Sequence, residues 1–395
     1  MSTTTWTDFD PFAAEVRADP YPHFARLREH APCAHLDRYD VWLVSRYEDV
    51  ARVLHDWKTF SSGQGAALEP VGTPEEGGVI LSTDPPRHTR IRRAVSKDFT
   101  PKMIASLQPQ IRSLAQRAID DAVSAGEVDW IALLAQPLPT TIMAQLMGYP
   151  EQHRDQYCRW AEVIFDSMGC PASASGADGA LAQVGAQLYA FAGQLAANHE
   201  YVHNGWADRI VQSGERGELT NDEVVSLLGG ILVAAMDTTV NMLGNLLHSL
   251  ATYPEQWHRL AADPALAASA VNESLRFESP VQPGFFRVAT QDTEIAGVAV
   301  PEGARVMVGF GSANRDGDQF PNPDTFLIDR MPNNHLAFGR GVHFCLGAPV
   351  ARLMGKVVLE TLCDGVSKIE LAGEPVRKDN RMLRGFDELP LRLTR

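Results

Sequence analysis

Apolar positions along most of this chain return at helical spacing. Residues 86–210 read as mostly helix, with the clearest periodicity over 103–125 and an almost unbroken apolar run at Ile131–Met147. Asn221–Thr252 is the longest helix candidate. Its start signal is Thr220-Asn221-Asp222-Glu223, a hydroxyl followed three residues later by an acid. Ala348–Cys363 places Val350, Leu353, Val357, Val358 and Leu362 at helical spacing, and shorter helices are expected over 20–30 and Tyr47–His55. Strand patterns are few. Residues 34–46 read as two strands, and 288–308 alternate between Gly and Pro breaks as several short ones. The stretch 61–78, rich in Gly, Pro and Glu, predicts a long loop, and the small, polar stretch 170–179 predicts a connection between helices. The expected architecture is mainly α, one large helical domain over residues 1–395 with a small β-rich region.

Composition narrows the partners. A chain of 395 residues, 45% apolar and 21% charged, has an ordinary globular make-up and can bury a large core. Its 35 basic and 49 acidic residues give a net charge of −14, which argues against nucleic acid or an anionic membrane as the main partner. The five cysteines (33, 158, 170, 345, 363) show no paired metal spacing, and their odd number makes a poor disulfide framework. The first dozen residues lack a basic start followed by an apolar run, and the apolar stretch 227–236 runs into Asp237 too soon to span a bilayer. These features predict a cytoplasmic, membrane-free protein, expected as a monomer.

The most informative segment is Phe338-Gly339-Arg340-Gly341-Val342-His343-Phe344-Cys345-Leu346-Gly347. Glycines on both sides permit backbone conformations closed to other residues and let a flat ligand approach closely. Backbone N–H groups of the turn and the start of the helix behind it can stabilise a thiolate, and Arg340 and His343 are cations suited to carboxylates on a ligand's rim. This segment resembles the haem-binding loop of the cytochrome P450 family, the haem-thiolate monooxygenases, and its pattern is complete here. The resemblance implies the P450 fold, haem b as cofactor, and Cys345 as the axial iron ligand, with the haem between the long central helix and the helix after Cys345.

Other segments extend the resemblance. Met236-Asp237-Thr238-Thr239, inside the long apolar helix, is costly to bury, and a threonine there can simply bond back to the helix. The resemblance makes it the oxygen-binding segment, with Thr238 donating a hydrogen bond to the bound oxidant and Asp237 relaying protons from solvent; Ala235 stands where glycine is usual. Glu273 and Arg276, three apart on one helix face, match the family's structural Glu-x-x-Arg pair. His88 and Arg92, four apart behind Pro85-Pro86, would bind the haem propionates together with Arg287 and His343.

A dinucleotide-binding Gly motif and an iron–sulfur cysteine set are both missing from the sequence. The resemblance therefore implies electrons from a ferredoxin with an NAD(P)H-dependent ferredoxin reductase. Arg90, Arg93, Lys97, Arg340, Arg352 and Lys356 are candidates for a basic docking patch, the alternative being scattered solvated charges. Val233, Ala234, Phe285, Phe286 and Phe165, with Met168, are expected to line an apolar, aromatic pocket for a small aromatic substrate and O2. The segments 276–282, 311–316 and 383–385 resemble the bacterial branch that O-demethylates para-methoxybenzoates. Gly78, Gly229 and Gly230 stand where that branch places carboxylate-binding polar groups. The expected activity is O-demethylation of a neutral methoxylated aromatic, such as a lignin-type methoxyphenol. A peroxide-driven peroxygenase, a hydroxylase of another small apolar substrate, and a non-enzymatic haem sensor stay open as alternatives.

Overall fold

The computed structural model describes residues 9–68, 80–97, 99–169 and 178–395. Glu69, Glu75, Glu76 and Gly78 of the expected 61–78 loop, and most of the 170–179 connection, lie outside the described residues.

The helix Asn221–Thr252 is the axis of the molecule, 32 residues long, or about 48 Å at 1.5 Å per residue. Its start is the reciprocal cap that the sequence signals: Thr220 Oγ1 accepts from the Glu223 amide at 3.2 Å, and the Glu223 side chain accepts from the Thr220 amide at 3.0 Å. Glu223 also binds two arginines of the helix Arg87–Ser96. Arg87 Nε lies 3.0 Å away, and Arg90 meets both carboxylate oxygens at 2.6 and 2.9 Å. These cations outweigh burial and hold Glu223 down at about 2. Around the axis pack Arg154–Met168, Asp178–Asn198, Ala267–Phe277 and Ala348–Cys363.

Two periodic stretches are broken where proline removes a backbone donor. Residues 103–125 divide into Pro101–Ser106 and Gln108–Ala125, with Pro109 in the first turn of the second helix. The Ile131–Met147 run is a π turn, Ile131–Ala135, followed by the helix Pro137–Met147.

The β region is one five-stranded sheet and smaller pieces. Its order is Cys33–Leu36, Val41–Val44, Arg305–Gly309, Pro283–Ala289, Phe60–Ser61. Val41–Val44 runs parallel to Arg305–Gly309 (Trp42 opposite Val306), whereas Pro283–Ala289 is antiparallel to it with a register shift between Gly284 and Arg287. Phe285 sits in that bulge with φ +50°. The bulge separates two neighbouring aromatics: Phe285 packs against the main core, while Phe286 is fully buried in a second cluster with Phe24, Leu27, Leu43 and Met307.

Candidate active site

The Cys345 loop is shaped by its glycines. Gly339 and Gly341 have φ of +70° and +72°, and a Cβ on Gly341 would lie 2.7 Å from the Leu54 carbonyl oxygen. Only glycine fits there. The Cys345 amide donates to the Phe338 carbonyl at 2.9 Å, closing the turn just before Ala348–Cys363 begins. The residue is exposed to solvent yet surrounded by protein, so Cys345 lies in a recess. Burial pushes its thiol up; the Gly347 and Ala348 amides and the Arg92 and Arg352 cations favour the thiolate.

The four expected carboxylate binders gather on one side of this loop. The rings of His88 and His343 lie 4.4 Å apart between centroids. Arg92 donates to the Phe344 carbonyl at 2.6 Å, and Arg287 to the Phe286 carbonyl at 2.9 Å. His343 is depressed to about 3 by burial and then by the cations Arg287, His88 and Arg92; His88 is also lowered, by burial first and Arg92 second. Burial takes Arg287 to about 10. The Nε2 atoms of both histidines are buried without a hydrogen-bond partner among the described residues. Neutral imidazoles crowded by arginines, with orphaned ring nitrogens, suit an anionic ligand edge that would supply the missing acceptors. The residues present therefore fit a haem: His88, Arg92, Arg287 and His343 would hold its carboxylates, and Cys345 would bind its iron.

The long helix carries an uncharged, partly exposed face. Val233, Met236 and Asp237 are buried, but Ala234 is exposed and Gly230, Ile231, Ala235 and Thr238 are half-exposed, a stripe at helical spacing with no charge on it. Thr238 Oγ1 donates to the Ala234 carbonyl at 2.8 Å, the local bond open to any helical threonine. It must leave Ala234 before it can donate inward. Asp237 points elsewhere. It is pushed up to about 6 by burial, with Lys378 opposing and Glu162 and Asp387 adding to the rise. Lys378 Nζ lies 3.4 Å from its Oδ1, and its Oδ2 is buried without a partner among the described residues.

Several expectations change. Phe286 belongs to the second cluster and lines no pocket, because the bulge turns it away; Phe285 is half-buried against Phe310. Phe165 is buried on Arg154–Met168. Gly229 is spent on helix packing, since a Cβ there would meet Leu188 at 3.1 Å, so only Gly230 of that pair borders the stripe. Glu273 and Arg276, expected as a structural pair, lie in the core. Both are fully buried, Arg276 grips Glu273 through two bonds of 2.8 Å, and Arg330 binds both Glu273 oxygens at 3.0 and 3.1 Å. Lys378 was not visible in advance; a lone lysine in a C-terminal strand pattern carries no signal of its place.

A long axial helix, a cysteine presented from a glycine-built turn, and a cationic rim for two carboxylates define a haem-thiolate protein. Comparison with known proteins agrees. The cytochrome P450 family model matches residues 203–364. The chain is 38% identical over 392 residues, 98% of this chain and 93% of the relative, to cytochrome P450 CYP199A2 of Rhodopseudomonas palustris. It is 34% identical over 406 residues to the vitamin D(3) 25-hydroxylase of Pseudonocardia autotrophica, covering 99% of this chain and 98% of that one. Among solved structures, cytochrome P450 CYP109Q5 of Chondromyces apiculatus superposes with a TM-score of 0.84 at 33% identity, covering 98% of each chain. The chain belongs to the cytochrome P450 family and is a haem-dependent monooxygenase of bacterial type.

Proposed function

We propose that Cys345 ligates the haem iron, that His88, Arg92, Arg287 and His343 bind its propionates, and that the enzyme O-demethylates a small neutral methoxylated aromatic. The observation that carries the substrate reading is the uncharged stripe Gly230, Ile231, Ala234, Ala235 on the long helix, with Phe285 as an aromatic wall. A carboxylate bound there would find no cation on that face, so desolvation disfavours a benzoate. When bound, haem with a thiolate ligand supplies reductive activation of dioxygen. The protein's own part is placement and protons. Ala234 and Phe285 hold the ring and exclude water, Thr238 orders hydrogen bonds at the recess, and Asp237 holds the proton that is handed inward; Val233, expected to line the pocket, is buried on the other side of the helix. One oxygen atom enters a methoxy C–H bond, and the resulting hemiacetal collapses to a phenol and formaldehyde.

Electrons come, on this reading, from a ferredoxin and its reductase in the cytoplasm, with the enzyme acting as a monomer. The docking patch is smaller than the sequence suggests. Arg90 is held by Glu223, Lys97 lies 3.7 Å from Glu218, Lys356 binds Glu360 at 2.6 Å, and Arg352 binds Asn272 at 2.9 Å. Arg93 and Arg340 are exposed, with no ion pair among the described residues, and are the cations best placed for an acidic partner.

A panel of methoxyphenols and para-methoxybenzoates, titrated into the holoenzyme and scored by the low-to-high spin shift of the Soret band, tests the substrate class. Neutral methoxyphenols are expected to give the larger shift, and a response confined to the benzoates would refute it. Thr238→Ala is expected to divert most reducing equivalents to hydrogen peroxide; unchanged product per NAD(P)H would remove Thr238 from proton handling.

A further inference from the structure

The four cationic rim residues come from three separate elements. His88 and Arg92 ride on the helix Arg87–Ser96, Arg287 on the strand Pro283–Ala289, and His343 on the cysteine loop. Holding two carboxylates at once requires these elements to be fixed against one another. Asp84 joins the first two. Its carbonyl accepts from the His88 amide at 2.8 Å, at the start of the helix. Its carboxylate accepts from the Ser61 hydroxyl, from the Ser62 amide at 3.0 Å and from the Gly63 amide at 3.2 Å. Ser61 pairs with Val288, the residue after Arg287, at the edge of the sheet. A linkage therefore runs from His88 through Asp84 and Ser61 to the strand of Arg287. Further along, the same 61–68 segment is fastened again: Phe286 donates its amide to the Ala66 carbonyl at 3.0 Å, and Arg305 donates to the Ala67 and Gln64 carbonyls at 2.8 and 3.0 Å.

An acid is the unexpected choice here, because a rim that binds carboxylates repels a further one less only if that acid has work of its own. Three donors converge on Asp84. A carboxylate offers two accepting oxygens to them, whereas an amide offers one and turns an NH2 toward the rest. Among the described residues Asp84 is also the one acid whose charge reaches Arg287 and His88, against the burial that lowers both. We propose that Asp84 is the positioning residue of the haem rim: it sets the helix of His88 and Arg92 against the strand of Arg287, and its charge lowers the reduction potential of the bound iron. This rests on the reading of His88, Arg92, Arg287 and His343 as the propionate binders. A fixed negative charge beside a redox centre disfavours the added electron. Solvent screens it weakly, since Arg287 is only 3% exposed.

Two measurements on substrate-free holoenzyme test it: the rate of haem transfer to excess apomyoglobin, and the midpoint potential from a spectroelectrochemical titration. Asp84→Asn keeps the volume and removes the charge. It should lose haem about tenfold faster, and its midpoint should rise. Asp84→Glu restores the charge and should bring the midpoint back toward the parent value. Ser61→Ala removes one donor and no charge, so it should speed haem loss by less and leave the midpoint where it was. A merely structural role would move the haem loss but not the potential. Haem transfer at the parent rate in Asp84→Asn, or in Ser61→Ala should the first variant fold poorly, overturns the bridge. An unmoved midpoint in Asp84→Asn overturns the role of the charge. Arg287→Met separates this proposal from the reading beneath it. If Arg287→Met also holds haem like the parent, the propionate assignment falls; if it sheds haem while Asp84→Asn does not, the rim stands and Asp84 alone loses its part.

Discussion

Cys345→Ser is expected to abolish the red-shifted, thiolate-type Soret band of the reduced protein under carbon monoxide and to remove monooxygenase turnover. The loop is built around one sulfur. The Cys345 amide is tied to Phe338, the Gly347 and Ala348 amides favour negative charge on the side chain, and Gly341 is pressed against the Leu54–His55 backbone. Serine fits the same volume and keeps those backbone contacts, so the turn should survive. An alcohol, however, is a far weaker acid than a thiol and cannot push electron density as a thiolate does. The propionate side of the site is untouched, so haem should still be retained. A parent-like carbon monoxide spectrum in the serine variant would mean that the metal is ligated elsewhere.

Glu273→Ala should cost the fold itself. Glu273 is the single acid between two buried guanidiniums, Arg276 and Arg330, and it also accepts from the Leu327 amide at 2.9 Å and from Asn333 at 3.1 Å. Arg276 in turn binds the carbonyls of Asn314, Pro323 and Thr325, so one carboxylate pins the chain segments that lead into the cysteine loop. Breaking a buried pair by removing one partner costs about 3–5 kcal/mol, and here two cations are stranded. That is a large fraction of the roughly 5–15 kcal/mol that stabilises a typical domain. Little haem-loaded protein should be recovered, and it should melt well below the parent. Parent-like haem content and melting temperature in the alanine variant would show that the network is dispensable.

How much of this was legible in advance follows physical lines. Tyr47–His55 and Ala348–Cys363 stand with the boundaries that periodicity gives, because their apolar stripes and ends are local properties. The Cys345 turn was legible for the same reason, since its glycines meet a local backbone demand. What escaped was non-local. Phe285 and Phe286 look alike in sequence, and only the register shift against Arg305–Gly309 separates them. Gly229 read as a missing polar group, yet it is where Leu188 of another helix comes close. Arg90 read as a docking cation, yet Glu223, 133 residues away, holds it. Lys378 meets Asp237 through a contact between distant segments that no spacing rule encodes.

The axial helix has a consequence for topology assignment. Among the described residues it is the one helix long and apolar enough to cross a bilayer, and a hydropathy window alone would thread it through one. Its polar members argue otherwise: Asn245 donates to the Glu278 and Arg384 carbonyls at 3.2 and 2.9 Å, and Asp237 meets Lys378. Acyl chains offer no such partners. The greasy exterior of this rod is a tailored lining for neighbouring helices, and its polar stripe fixes which way round it is seated.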